Sequence, residues 1–386
     1  MEKKIILLLL FYSSFFFSQK IQIVENVTSK PIANARIITE GKVYYTNDEG
    51  YGLLGEHSKN IEISAFGYET TKENEFKPII KLNPVYKDID EIKIVSIDFQ
   101  RILKNVSDHY SEIYYDKPII YDVTIKQKQF ENGSLKMLMV ADGKFWSKDG
   151  QYYAKDAFKN NFNNFVQLEI SHLRFLKTEP SENKVQVKKP TVSHDNIGDM
   201  FLSYELWRTL SLSKKKHAKI SGRLLYENVD EQEISYSIKS DSTYIYTGKI
   251  LYNKKDKAIT HFEIEFKQSN SEPIKYKDIN GKDFYRQLGN GTIMFDYYKK
   301  DGKYFPSKIS FNTDGFKTIT DTESFEYSSA RDIIFKSFQK TDKNGLENPV
   351  KINEAYWTDL KISDNKGEIL LTKEEQEFTD EKIKKQ

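Results

Sequence analysis

The chain has 386 residues, 59 basic and 57 acidic side chains, a formal net charge of +2 and no cysteine. Near-balanced charge gives no electrostatic case for nucleic acid or an acidic polymer. The missing cysteine excludes a disulfide framework, a thiol nucleophile, a cysteine-ligated metal and a lipid-modified cysteine.

The chain opens on Lys3 and Lys4, an apolar run from Ile5 to Phe17, and the small residue Ser18. This pattern predicts a signal peptide over 1–18, cleaved after Ser18. The run is shorter than the roughly 20 residues a membrane-spanning helix needs. No later stretch is long and apolar enough to span, so the expectation is an exported protein, soluble or peripheral to a membrane. The remaining length suits about two domains. Tyr and Phe number 25 each against 9 Pro, a balance that favours β-structure because aromatic rings pack well on a pleated surface.

From 19 to 83 short apolar stretches alternate with turn residues. Ile21–Val24, Ala35–Ile38, Val43–Tyr45 and Ile61–Ala65 have the period-2 character of strands. Ser29-Lys30-Pro31, Asn47-Asp48-Glu49-Gly50 and Phe66-Gly67-Tyr68 lie between them. Asn and Asp bond back to nearby backbone and Gly accepts positive φ, so these are turns. Many short strands at this spacing indicate a β-sandwich.

The order of these pieces is specific. A Val-acidic pair is followed by Pro31-Ile32 with Ala35 and Ile37, then Thr46-Asn47 with Gly50-Tyr51, then Gly67-Tyr68-Glu69, then Ile80-Lys81-Leu82. This order is similar to the carboxypeptidase regulatory-like domain family, a transthyretin-like seven-stranded sandwich common at the front of exported Bacteroidetes proteins. The resemblance covers about a sixth of the chain. It implies that Ala35 is a small inward residue and that Gly50 and Gly67 serve backbone geometry. It implies no active site in this domain. In outer-membrane receptors a plug and a large barrel follow such a domain; the residues after 83 are too few for a 22-stranded barrel.

Residues 84–96 read as a linker and strand. Ile97 to Tyr115 has Ile102, Leu103, Val106, Tyr110 and Ile113 at helical spacing. Asp116-Lys117-Pro118 ends that helix. A hairpin follows, Tyr121–Phe130 and Leu135–Val140 around Asn132-Gly133, a pair that tolerates positive φ. From about 150 to 215 the pattern is less regular, with a helix expected around Met200 to Leu210. Antiparallel strands return from 219: Tyr244–Tyr252 turning back as Ala258–Phe266, then Thr292–Tyr298 turning back as Tyr304–Phe311. Asn353 to Trp357 is expected to pack onto the body, and 363–386 reads as a charged tail with a frayed helix. The fold class predicted is mainly β: an N-terminal seven-stranded sandwich, then over 97–362 a helix plus a curved antiparallel meander, half-barrel-like. That second region resembles half-barrel periplasmic lipid-carrier folds in topology, which does not carry function with it.

The chemistry-bearing patterns are weak. None of the 6 histidines stands at the i, i+4 spacing of a helical zinc site. His261, Glu263 and Glu265 alternate with Phe262, Ile264 and Phe266, which puts three polar groups on one strand face; a solvated face explains this as well as a metal does. His194-Asp195 is a histidine–carboxylate pair in a polar loop, with no Gly-x-Ser-x-Gly to accompany it. Ser211-Leu212-Ser213-Lys214 matches Ser-x-x-Lys without the companion motifs of that chemistry. Asp88, Asp90 and Glu91 are neighbouring carboxylates with no sign of a sugar cleft. Aromatic side chains, among them Tyr44, Tyr246, Phe262 and Phe311, remain as a lead. They either fill sheet faces or line a surface for a sugar or an acyl chain.

The expectation is therefore a non-enzymatic envelope protein, periplasmic or outer-membrane associated. It would be an accessory or binding module for a protein, glycan or lipid partner, without a cofactor, a metal or nucleic acid. A cryptic hydrolase in 97–362 and a structural spacer are the alternatives.

Overall fold

The computed structural model describes residues 19–55, 58–85, 95–152, 164–187, 201–240, 245–268, 271–350 and 370–380. The signal peptide expected at 1–18 lies outside them, as do His194, Asp195, the carboxylates at 88–91 and the stretch 353–357. Over the described residues the protein is mainly β, with largely antiparallel sheets and no closed barrel. It divides into two compact units, 1–89 together with 367–386, and 90–366.

Seven strands build the first unit. One sheet has the order β4-β1-β7, from β1 (Gln19–Glu25), β4 (Tyr51–Leu54) and β7 (Ile79–Leu82). The other has the order β3-β2-β5-β6, from β2 (Arg36–Thr39), β3 (Lys42–Tyr45), β5 (Lys59–Ser64) and β6 (Thr71–Glu75). Alternation along the strands turns Ile21, Ile23, Ile37, Leu54, Ile61, Ile63, Ile80 and Leu82 into one buried core. Ala35 is wholly buried, and its N–H donates to Thr46 Oγ1 at 2.9 Å. Gly50 has φ +74°, and a Cβ there would lie 2.6 Å from the carbonyl oxygen of Ile23. Asn47 Oδ1 holds the same turn by accepting from the N–H groups of Glu49 and Tyr51. Pro31 bridges to Val24, and Gly67 has φ +82°.

Part of the charged stretch 363–386 belongs to this first unit. Its helix, here α4 (Lys373–Asp380), is preceded by Thr372. The Glu375 carboxylate accepts from the Thr372 N–H at 2.9 Å while Thr372 Oγ1 accepts from the Glu375 N–H at 3.4 Å. This reciprocal capping satisfies two N–H groups that a helix start leaves open. Phe378 is buried, and the Lys373 N–H donates to Glu49 Oε1 at 3.1 Å.

The second unit is one large sheet with helices on one face. Its strands are β8 (Val95–Ser96), β9 (Ile119–Glu131), β10 (Ser134–Ser147), β11 (Val166–Thr178), β12 (Lys219–Glu227), β13 (Glu231–Lys239), β14 (Ile245–Asn253), β15 (Ala258–Lys267), β16 (Ile274–Lys277), β17 (Asp283–Gln287), β18 (Asn290–Lys300), β19 (Lys303–Ile319) and β20 (Ser324–Lys340). Their order is β11-β10-β9-β20-β19-β18-β15-β14-β13-β12-β8, and β17 carries β16 off the side of β19. The expected hairpin at Asn132-Gly133 is present, with φ +51° and +77°. β11 lies inside the stretch expected to be irregular. Two register shifts against β10 break its alternation, which hides the strand from a period-2 reading. The β11 edge is occupied in part, since the Val350 N–H donates to the Leu168 carbonyl at 2.7 Å.

The helix expected over Ile97–Tyr115 is shorter and broken. It starts two residues later, as α1 (Phe99–Asp108), because the Asp98 side chain caps it by accepting from the Arg101 N–H. His109 then leaves helical geometry at φ −110°, and a single turn, α2 (Tyr110–Ile113), follows. Helix α3 (Leu202–Ser213) starts and ends within a few residues of its expected position.

One face of the sheet, the inner face, carries these helices. Its central row runs through β13, β14, β15, β18, β19, β20, β9, β10 and β11. The residues in register are Ile234, Ile250, Phe262, Phe295, Ile309, Ile333, Ile125, Ala141 and Leu173. None of the nine is more than 5% exposed. Phe99 of α1 stacks on Tyr236 beside this row, ring centroids 4.2 Å apart. After α2, the Tyr114 hydroxyl donates to the carbonyl of Ile259 and accepts from its N–H, at 2.8 and 3.0 Å. The helices are thus fastened to the sheet by both apolar burial and buried polar contacts.

Candidate ligand face of the second unit

Cross-strand register sorts the sequence-derived polar candidates onto the other, outer face. His261, Glu263 and Glu265 share that face, as the alternation requires. They do not form a solvated row from end to end. His261 is 7% exposed, and its Nδ1 lies 2.6 Å from Asp296 Oδ1 on β18. Glu265 is the open end, accepting from Thr247 Oγ1 at 3.1 Å. Near His261, burial raises the Glu233 carboxyl above its usual range, while Lys249 and His261 pull it down. Further along, Lys308 meets Asp332 at 3.2 Å. Opposite charges thus knit neighbouring strands of the outer face. Among the described residues no group of three or more His, Asp or Glu is placed to hold a metal ion.

The other motif residues are also engaged locally. Ser211 and Ser213 donate their hydroxyls to carbonyls one turn back in α3, and Ser213 Oγ accepts from Gln100 of α1. His109 Nδ1 lies 2.9 Å from the Asn105 carbonyl. His172 stands in register opposite Asp142.

Asp142 makes the strongest outer-face test. Burial pushes its carboxyl up, but Lys336 at 2.8 Å, Thr124 at 2.5 Å and Arg174 at 3.5 Å outweigh burial and hold it below the ordinary value. A carboxylate depressed in the folded state stabilises the fold above its unfolded value, about 3.9, and that contribution is lost as pH falls through the folded value. Asp142→Asn should therefore lower stability at pH 7 and flatten the acid side of the stability curve. Urea midpoints from pH 7 to pH 2 check this; parallel curves for both proteins would refute it.

Below its central row the inner face is mixed: Tyr236, Ile264, Ile293, Gln127 and Met139 stay buried while other positions are partly exposed. The next row reads Tyr236, Gly248, Ile264, Ile293, Phe311, Arg331, Gln127, Met139 and Leu176 in register. The row after it contains Ile238, Tyr246, Phe266 and Gly291. Tyr246, Phe266, Phe311, Leu176 and Arg331 are only half-buried, in contrast to the sealed row above them. The Tyr246, Phe266 and Phe311 rings follow one another at centroid spacings of 6.5 Å. The Arg208 guanidinium of α3 lies 5.8 Å from the Tyr246 ring centroid, and Arg331 Nε donates to Gln127 Oε1 at 3.3 Å. From β14 to β20 the face spans four strand spacings, about 19 Å.

The Arg208 guanidinium pairs with the buried Glu205 at 2.6 Å, so an aromatic floor with Arg331 at its β20 end suits an elongated apolar ligand that carries negative charge. Neither arginine stands out in the sequence, since each is one of many basic residues. Tyr246 and Phe311 are visible there as strand aromatics, but nothing local says that they share a face with Phe266. Phe262 lies in the sealed central row, and Tyr44 belongs to the first unit. A separate recess of about 120 Å³ lies between the 183–185 segment and the β17 start, lined by Asp278, Lys282, Phe284 and Phe325 among others. It has room for about four waters.

No protein family matches the sequence, and no curated protein does. Among solved structures the chain is similar to a chain of the Pseudomonas aeruginosa MucA/MucB complex, at 6% identity and a TM-score of 0.18, over 64% of this chain and 100% of that one. A chain in a crystal structure of MucB in complex with MucA(peri) aligns at 6% identity and a TM-score of 0.16 over the same shares. Likeness at this level defines neither fold nor function here. Among the described residues no helix is long and apolar enough to cross a membrane.

Proposed function

We propose that the protein is a non-enzymatic exported envelope protein whose second unit binds an elongated, anionic amphiphile on the lower inner face. The half-buried rings of Tyr246, Phe266 and Phe311 carry this reading, because they keep apolar surface in solvent while their neighbours on the same face are sealed. Burying those rings under a ligand would recover about 25 cal/mol for each Å² of apolar surface removed from water. Arg331, at the β20 end of the floor, would hold the anionic group, while Arg208 at the other end is already paired with the buried Glu205 at 2.6 Å. The leader read at 1–18 supports export to the envelope, and the front sandwich would serve as an accessory module.

Titration of the chain from residue 19 onward with 11-(dansylamino)undecanoic acid tests this reading. Saturable binding is expected, weakened at least tenfold by Phe311→Ala and by Arg331→Gln. The uncharged dansyl amide of the same chain length should bind more weakly than the acid. No saturable binding, or equal binding by variants with native circular dichroism, would overturn the proposal.

A further inference from the structure

The insertion between β15 and β18 carries a feature that ligand binding on the inner face does not use. β16 and β17 form a hairpin, with Ile274, Lys275, Tyr276 and Lys277 opposite Arg286, Tyr285, Phe284 and Asp283. Among the described residues β16 pairs with β17 alone, and no described strand lies along its other side. The Asp278 N–H donates to the Lys282 carbonyl at 2.9 Å. In an antiparallel ladder that phase points the N–H and C=O groups of Lys275 and Lys277 away from β17. All four β16 residues are exposed, Ile274 at 44% and Tyr276 at 41%.

The two faces of this edge differ chemically. Ile274 and Tyr276 lie on one side, where Tyr276 stacks on Phe284 at 5.7 Å and the Arg286 guanidinium covers the Tyr276 ring at 5.2 Å. Lys275 and Lys277 lie on the other, 2.6 and 4.0 Å from Asp283, with Asp321 also acting on Lys275. Both lysine side chains stay more than half exposed, at 56% and 72%, and so remain accessible to further carboxylates. A strand laid along the edge would place alternate side chains against these two faces. The two lysines also oppose pairing of β16 with a second copy of itself.

We propose that β16 is a docking edge for an extended segment of a partner protein in which apolar and acidic residues alternate. Its backbone pairs with Lys275 and Lys277, its apolar side chains cover Ile274 and Tyr276, and its carboxylates face the two lysines.

A fluorescein-labelled seven-residue peptide of alternating valine and glutamate, with a valine–lysine peptide as its counterpart, tests this by fluorescence anisotropy on the chain from residue 19 onward. The valine–glutamate peptide should bind saturably and the valine–lysine peptide at least tenfold more weakly. The double variant Lys275→Glu/Lys277→Glu should reverse that order, which mere damage to the hairpin would not do. Lys275→Pro, which removes one outward N–H, should weaken the glutamate peptide at least tenfold. Absence of peptide binding, binding unmoved by the charge reversal, or hairpin-dependent binding to phosphatidylglycerol vesicles in its place would each overturn the proposal.

Discussion

Replacing Phe262 with alanine should cost the second unit about 3–5 kcal/mol, the range for emptying a buried aromatic site. Phe262 is wholly buried in the middle of the central row, in register with Ile250 and Phe295, and its ring lies 5.9 Å from that of Tyr236. Tyr236 in turn stacks on Phe99, so the cavity would open beneath the contact that holds α1 to the sheet. The surroundings can collapse little, because the neighbours on both flanks are fixed by strand pairing. Urea unfolding of the variant and the parent checks the value. Phe266→Ala on the same strand should cost less, since that ring is only partly buried. Equal costs at the two positions would contradict both the central row and the open floor.

Gly248→Ala should be as damaging as many core truncations, at about 3 kcal/mol, by the opposite mechanism of overpacking. A Cβ at this position would lie 1.9 Å from the Glu263 carbonyl oxygen and 2.8 Å from the Tyr236 hydroxyl. The missing side chain is what lets Tyr236 reach across β14 and donate to that same carbonyl at 2.9 Å. Burial, with Glu205 and Glu263 nearby, holds the Tyr236 phenol well above its ordinary value, so it stays a neutral donor at any physiological pH. Adding Tyr236→Phe should not rescue the variant, because the clash with backbone remains. Gly133→Ala offers the contrast: its φ is +77° with nothing within 4 Å, so only the conformational cost of about 1 kcal/mol applies. Thermal and urea unfolding of the three variants separates these mechanisms; a Gly248→Ala loss below about 1 kcal/mol would show that the strands move apart freely.

Local patterning made much of the fold legible. The Asn132-Gly133 hairpin and the β14–β15 and β18–β19 pairs are readable because turn chemistry and period-2 alternation agree there. β11 and the far half of β19 were harder, because register shifts interrupt the alternation near Ala141 and between Thr313 and Phe316. The break at His109 is equally hidden, since apolar residues continue at helical spacing through Ile113. His261 shows the limit most clearly. Alternation placed it correctly on a face with Glu263 and Glu265, but its burial depends on Asp296, 35 residues away.

By itself the sequence determined a mainly β chain, four of the short strands at the front, and the positions of many turns, because these follow from side-chain period and φ preference; the count of seven front strands rested on the family resemblance. Only the tertiary structure decided that β20 enters between β19 and β9. It also decided that α4 belongs with the front unit, and that Tyr246, Phe266, Phe311, Arg208 and Arg331 share one face. The reason is physical: alternation says that a side chain lies on one of two faces, whereas strand order and register say what it faces and whether anything covers it.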